Sequence, residues 1–414
     1  MKHSITPWLY IPTLYLAESI PYAVVNSASV IMYKNLGMSN TFIGYTSMLY
    51  LPWVVKMLWS PAVDIWGTKR TWILLMQGLL SILCALLACS LMTGHFVMLS
   101  LAILIIIALC SATNDIATDG YYMLALDHRE QALFIGVRST CYRIGLIVAG
   151  GVFVMLAGKL ETMTGSVTLG WSWVMAVCAV VFAGFLLFHR RMLPHSRLDT
   201  TGTPQTNGQR FAAAFVSYFQ QPRIGVVLAF ILVYRLGEAL LLKMAAPFLL
   251  DSPAAGGLGL ATDTVGFVSG TVGVIGMCGG GIIGGWAIAR WGLKRCLWPM
   301  AIMLNVPNLC YVYLAAAHPS LPTVATLVVA EQLGYGFGFS GFAVFLMEIA
   351  QEPYKTSHFA ISTGFMALGM MLPGVFSGML QGALGYYSFF ILVALAGIPG
   401  CALVPLLPIN KKKE

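Results

Sequence analysis

The chain has 414 residues, of which 58% are hydrophobic and only 9% charged, with a net charge of +8 and a mean hydropathy of +0.83. Soluble domains carry about 25% charged residues, so these values exclude a soluble domain and indicate an integral membrane protein. The basic excess is no nucleic-acid signature, because it falls between apolar runs, where the positive-inside rule places it.

With roughly 20 apolar residues needed per crossing, the sequence predicts twelve spans. The first six are Trp8–Met32, Thr41–Val63, Trp72–Met92, Val97–Leu124, Phe134–Ala157 and Trp171–Phe188. The first run is too long for a signal peptide and holds an acid, Glu18, so it reads as a permanent span. The gap at 189–223 carries Arg190, Arg191, Arg197, Arg210 and Arg223 and reads as a cytoplasmic linker. After it come Ile224–Leu250, Thr262–Ala289, Leu297–Ala317, Thr323–Ile349, Phe359–Leu380 and Tyr386–Leu407. The expected organisation is therefore a six-helix half at 1–188, the linker, and a second six-helix half at 224–414.

An even number of spans puts both termini on one side. Lys2, Lys69, Arg70, Arg129, the linker arginines, Arg290, Lys294, Arg295, Lys355 and Lys411 to Lys413 fall on that side, against only Lys34 and Lys159 opposite. Both termini are expected in the cytoplasm. An internal repeat supports two halves. Trp66 to Arg70 follows span two and Trp291 to Arg295 follows span eight, both reading Trp-Gly-x-Lys-Arg. Tyr15 to Glu18 has a looser counterpart in Tyr234 to Glu238 at nearly the same offset, as expected of parallel transporter repeats. The nine cysteines lie in or beside apolar runs without zinc or redox spacing, and read as packing residues.

Charges inside spans are functional candidates, because lipid makes them costly. The acids are Glu18 in span one, Asp115 and Asp119 in span four, Glu238 in span seven and Glu331 in span ten. They recur on every third span, as expected of helices lining one cavity. The bases are Lys56 in span two, Arg138 and Arg143 in span five, and Arg235 and Lys243 in span seven. Asp115 and Asp119 are four residues apart and share one helical face. Counting outward from the turn between spans four and five puts Asp119 level with Arg138 and Asp115 level with Arg143. Both pairs are expected as ion pairs. They either clamp the two helices or serve transport; a buried pair adds little stability by itself.

Glu18 precedes Pro21 by three residues, and a proline there is expected to kink span one beside the acid. Arg235 and Glu238 are spaced to pair on one face. Lys243 reads either as a contact for an anionic solute or as a side chain snorkelling outward. Gly334, Gly338 and Gly341 form one smooth face of span ten and read as helix packing. Asp64, Lys69 and Arg70, with Arg138, Arg290, Lys294 and Arg295, read as a cytoplasmic gate. The alternative for the basic residues is plain topology.

Several strings resemble the AmpG-like permeases of the major facilitator superfamily. They are Val55 to Asp64, Ser111 to Asp119, Tyr142 to Gly145 and Tyr234 to Glu238, with Glu331 and its glycine run and Phe359-Ala360. The resemblance covers both halves; the chain departs from it in a short loop before Lys69 and in Asn114 where glutamine is expected. It implies an all-α membrane protein of the major facilitator fold, monomeric, in the bacterial inner membrane, without cofactor or metal. It implies proton-driven import, by alternating access, of a bulky anionic solute such as an anhydro-muropeptide. Glu18, Asp115, Asp119, Glu238 and Glu331 are then proton-coupling candidates. Tyr15, Lys56, Asn114, Tyr142, Arg143, Arg235 and Lys243 are substrate-binding candidates. The alternatives are a siderophore or coenzyme A thioester transporter of the same fold, or a non-transporting wall-fragment receptor. An enzyme is disfavoured: a protease needs its two acids on separate elements, and no His-Glu-x-x-His occurs.

Overall fold

A computed structural model describes residues 6–60, 63, 66–126, 128–194, 213, 215–350 and 355–408. It is all-helical, with no strand among the described residues. Hydrocarbon explains this, since a spanning backbone must satisfy its own polar groups. Among the described residues eight helical runs are long and apolar enough to cross a membrane, and the fold has twelve helices overall. Spans one, two, five, seven, eight, nine and twelve are assembled from helical pieces. Span one runs Thr6–Ala23, a π turn Val24–Ala28, then Ser29–Asn35. Its backbone stays α-helical through Pro12 and Pro21, and the irregularity falls in the π turn beyond, where i→i+5 bonding absorbs the distortion. Span four is unbroken from Phe96 to Ala125 and span six from Val167 to Met192. Gly385, at φ +71°, separates spans eleven and twelve within Lys355–Ala396.

The chain divides into two compact units. One is Met1–Leu36 with Val55–Asn207; the other is Gly37–Val54 with Gly208–Glu414. The start of span two, Asn40–Tyr45, thus belongs by its contacts to the second unit.

In the first unit span one packs on spans four and five, and span six on spans three and five. Close approach depends on missing side chains. A β-carbon on Gly145 of span five would collide with the Ser19 hydroxyl and sit 3.0 Å from the Leu16 carbonyl. His189, fully buried, ties three spans together: Nε2 is 2.9 Å from Thr13 Oγ1 and Nδ1 is 2.9 Å from Gln77 Oε1. Arg70 donates to the Arg190 and Leu193 carbonyls at 2.7 and 3.0 Å. Those carbonyls lie at the end of span six, where a helix leaves acceptors without intrahelical donors.

In the second unit span ten is held between spans eight and nine by its glycines. β-carbons on Gly338 and Gly341 would come 2.6 Å from the Met300 carbonyl and 2.7 Å from Met300 Sδ. Span two meets span eleven in the same way, with a Gly44 β-carbon 2.9 Å from Gly378 N and the Val375 carbonyl. Polar groups finish that contact. Tyr386 donates to Asp251 Oδ2 at 2.6 Å, and Asn40 Nδ2 reaches Gln381 Oε1 and the Tyr386 hydroxyl at 2.8 Å each.

Overpacking a tight helix contact costs about 1–3 kcal/mol. Gly338→Val should therefore lower the melting temperature of purified protein. Gly279→Ala, whose β-carbon would meet nothing within 4 Å, should leave it unchanged or raise it.

Candidate functional site

Span four presents its acids at the end of a long aliphatic helix. Asp119 accepts two hydrogen bonds on Oδ1, from Arg138 Nη2 at 3.0 Å and from the Tyr15 hydroxyl at 2.8 Å. The Arg138 guanidinium lies over the Tyr15 and Tyr122 rings, 4.6 and 5.0 Å from their centroids. Its charge is thus shared between a carboxylate and two aromatic faces. The expected Asp119–Arg138 pair is present.

The expected Asp115–Arg143 pair is not. Asp115 Oδ2 is bonded instead by the Lys56 ammonium. Helical geometry explains the correction. Asp115 and Asp119 are four residues apart, roughly 40° around their helix, and face the same way. Arg138 and Arg143 are five residues apart, about 140° around theirs, so one helix cannot aim both at span four. Asp119 meets Arg138 at the depth counted, and equal facing does not follow for Asp115 and Arg143. Span two supplies the missing cation because it is broken: Leu51–Val55 ends and a 3₁₀ turn, Lys56–Leu58, starts with the lysine. Trp59 fixes the same segment to span four, its Nε1 3.2 Å from Thr113 Oγ1.

Glu18 completes the cluster from span one. It is buried, and its carboxyl lies within hydrogen-bonding reach of Asp115. Two carboxyl groups in that relation need a proton between them, since a carboxylate only accepts. The Glu18 Oε2 atom has no hydrogen-bond partner in the protein. Asn114, fully buried, has both amide atoms unpartnered, and Arg143 has a buried, unpartnered Nη1. Tyr142 is tilted against Tyr22 at 6.4 Å between centroids.

The second unit holds another cluster. Span seven is interrupted between Ile224–Val233 and Leu236–Leu250, with Arg235 outside helical geometry at φ −107°. Helical bonding resumes at the Arg235 carbonyl, which accepts from Ala239 N at 2.8 Å, and Arg235 is close enough for its charge to act on Glu238. The Arg235 guanidinium is bonded to the Tyr335 hydroxyl and lies 5.2 and 5.0 Å from the Tyr335 and Phe339 ring centroids. Glu238 and Glu331 are buried and close enough to act on each other's charge. Glu331 also accepts from Gln332 Nε2 at 3.0 Å. Lys243 is buried rather than snorkelling to the surface.

The residues read as a gate are placed unequally. Lys69 is buried, packed so closely under Gly120 that a β-carbon there would come 2.8 Å from Lys69 Cε. Arg70 caps span six as described. Arg290, with its guanidinium 5.8 Å from the Trp286 ring centroid, Lys294 and Arg295 are exposed. Asp64 lies outside the described residues. Trp59, Thr113, Tyr122, Tyr335, Phe339, Asn305 and Asn308 were not singled out from sequence. Only Asn305 and Asn308 left a signal there, as polar residues flanking Pro307 in an apolar run. Among the described residues no group of three or more His, Cys, Asp or Glu could hold a metal.

Comparison with known proteins bears on the family and the fold. A family model for the major facilitator superfamily matches residues 13–242. The anhydromuropeptide permease of Escherichia coli is 28% identical over 367 residues, covering 87% of this chain and 72% of the relative. An uncharacterized protein of Haemophilus influenzae is 26% identical over 401 residues, covering 92% and 90%. A putative transporter, AmpG 4, of Rickettsia felis is 22% identical over 412 residues, covering 96% and 95%. Among solved structures, a variant of the nucleoside transporter NupG superimposes with a TM-score of 0.72 at 15% identity, covering 96% of this chain and 98% of that one. A D-xylose–proton symporter gives 0.73 at 12% identity, covering 97% of each chain. These two establish likeness of fold only.

Removing one partner of a buried ion pair costs about 3–5 kcal/mol and of an exposed pair about 1 kcal/mol or less. Asp115 is 15% exposed and Lys56 34%, so Lys56→Met should cost about 2 kcal/mol, between those limits. Adding Asp115→Leu should recover part of it. Additive losses in a double-mutant cycle of thermal stability would contradict the pairing.

Proposed function

The chain belongs to the major facilitator superfamily of transporters, and from that premise we propose that it imports anhydro-muropeptides together with protons, by alternating access, across the bacterial inner membrane. Its homologues and fold are those of transporters rather than enzymes. The basic residues favour both termini in the cytoplasm.

One observation carries the proton reading. In the first unit three carboxyl groups, Glu18, Asp115 and Asp119, share two cations, Lys56 and Arg138. The cluster is one positive charge short of neutrality, and Glu18 is the acid without an ion pair of its own. A proton on the Glu18–Asp115 pair supplies that charge and the hydrogen bond between the two groups. Lys56 then decides when the proton leaves. While it bonds Asp115, one carboxylate is compensated. A substrate carboxylate that draws Lys56 away leaves two neighbouring acids with less compensation, and favours protonation. Arg143, with its unpartnered Nη1, is the second cation for an anionic solute, and Tyr15, Tyr142 and Asn114 supply stacking and amide contacts. Within the second unit Arg235 and Lys243 are further buried cations, and Glu238 and Glu331 further acids.

The substrate reading rests on the E. coli relative and on these cations. Energised inverted-orientation controls and right-side-out vesicles should separate the two claims. Wild-type vesicles should concentrate labelled N-acetylglucosaminyl-anhydro-N-acetylmuramyl peptide, and a protonophore should reduce uptake to equilibration. Glu18→Gln, which mimics the permanently protonated acid, should abolish concentration yet retain counterflow of unlabelled for labelled solute. Undiminished concentration by Glu18→Gln would remove the proton role. Failure of both uptake and counterflow in correctly inserted wild type would remove the substrate.

A further inference from the structure

Within the second unit, positive charge and indole rings gather at the turn between spans eight and nine. Span eight ends at Trp291, Gly292 turns the chain with φ +76°, and span nine starts at Leu293. Arg290, Lys294 and Arg295 stand exposed around that turn. The Arg290 guanidinium lies 5.8 Å from the Trp286 ring centroid, and Trp286 meets Trp291 edge to face at 5.3 Å. Trp298 follows Lys294 and Arg295 by one turn of helix. The three tryptophans are 56%, 48% and 51% exposed. The same Trp-Gly-x-Lys-Arg string is used differently in the first unit, where Lys69 is buried beneath Gly120 and Arg70 caps span six.

Among the described residues no ion pair reaches Arg290, Lys294 or Arg295. Span ten runs beside span eight, Leu333 against Gly280 and Phe337 against Gly284, and the same offset carries Glu348 to the level of Arg295. Glu348 is exposed there. Counted against the three cations, it leaves two positive charges. Positive-inside topology accounts for basic residues at this end of a span. It does not account for the order of residues that leads to them. On span eight Ile275, Ile282, Trp286 and Arg290 fall at i, i+7, i+11 and i+15, one face of the helix, and all four are exposed. On span nine exposed Val306 and Trp298 lead to Arg295 on one face. Both stripes pass from aliphatic side chain through indole to guanidinium. A phospholipid leaflet presents acyl chain, interface and phosphate in that order, and indoles settle at the interface. Beside the stripe of span eight, β-carbons on Gly279 and Gly285 would meet nothing within 4 Å, which leaves room for an acyl chain against the helix.

We propose that the turn between spans eight and nine binds an anionic phospholipid. Arg290, Lys294 and Arg295 hold its phosphate, Trp286, Trp291 and Trp298 meet its ester region, and an acyl chain lies along the exposed face of span eight. Basic clusters at the end of a membrane helix attract anionic headgroups in this way. Any anion would answer the cations; the two stripes select a phosphate carried on acyl chains. The site is separate from the buried acids of both units and does not rest on the substrate reading, and its test does not involve uptake.

The test uses full-length protein, immobilised in detergent and titrated with radiolabelled phosphatidylglycerol or with phosphatidylcholine of the same acyl chains. Phosphatidylglycerol should bind more tightly, and its advantage should fall about fivefold for each cation removed. Lys294→Gln/Arg295→Gln should therefore lose most of the preference. Arg190→Gln/Arg191→Gln, which removes the same charge from the exposed end of span six, should keep it. All four positions are exposed, so the replacements should leave folding intact. Inorganic phosphate in excess should not displace the lipid. Equal binding of the two lipids by wild-type protein would overturn the site without any variant. So would equal loss of preference in both double variants, which would reduce the effect to overall charge. Displacement by inorganic phosphate would overturn it too, leaving a soluble anion as the occupant.

Discussion

An aspartate on a helix built for lipid cannot stand alone, and here Lys56 meets it. Transferring a carboxylate out of water costs several kcal/mol even after relaxation, so Asp115 requires its ammonium wherever the helix sits. That requirement fixes more than one contact. It holds the broken end of span two against span four, where Trp59 and Thr113 add a neutral bond. It also leaves Glu18, the third acid of the group, to be balanced by something that comes and goes. A single pair that is strong, local and incomplete in charge is what a coupled transporter needs. On the proposed reading the pair defines one state and changes partner when an anion competes for the lysine.

The rest of the packing allows such clusters to exist. In lipid, helices gain little from burying apolar side chains against each other, and association depends on close fit and polar contacts. Glycine supplies the fit at Gly145 against Ser19, at Gly338 against Met300 and at Gly44 against Gly378. Polar groups supply the rest. His189 joins spans one, three and six through Thr13 and Gln77, and Tyr386, Asp251, Asn40 and Gln381 form a second junction.

Much of this was legible in the sequence, because lipid imposes strong rules. Hydropathy marked the spans, and every intramembrane acid was visible as an exception in an apolar run; the Trp-Gly-x-Lys-Arg repeat suggested two halves, whereas contacts group Gly37–Val54 with the second unit. Depth was legible too, since a helix advances by a fixed rise, and Asp119 met Arg138 as counted. Azimuth was not. Arg143 was assigned to Asp115 by level alone, although five residues of helix turn it away, and Lys56 was reachable only through a break in span two that no single residue announces. The two copies of the repeat also diverged in a way their identical letters conceal. Lys69 is buried and Arg70 caps a helix, while Lys294 and Arg295 face outward. The asparagines of span nine were passed over because amides carry no charge, although a proline between two of them was a usable sign of an interruption.

The account stands or falls on whether substrate movement carries protons. The direct measurement is pH inside and outside proteoliposomes that hold the purified protein and no ion or voltage gradient. Adding anhydro-muropeptide outside should make the outer medium more alkaline and the lumen more acid, in step with solute entry. Entry of labelled solute with no pH change on either side would contradict the reading of Glu18 and Asp115 as a proton site.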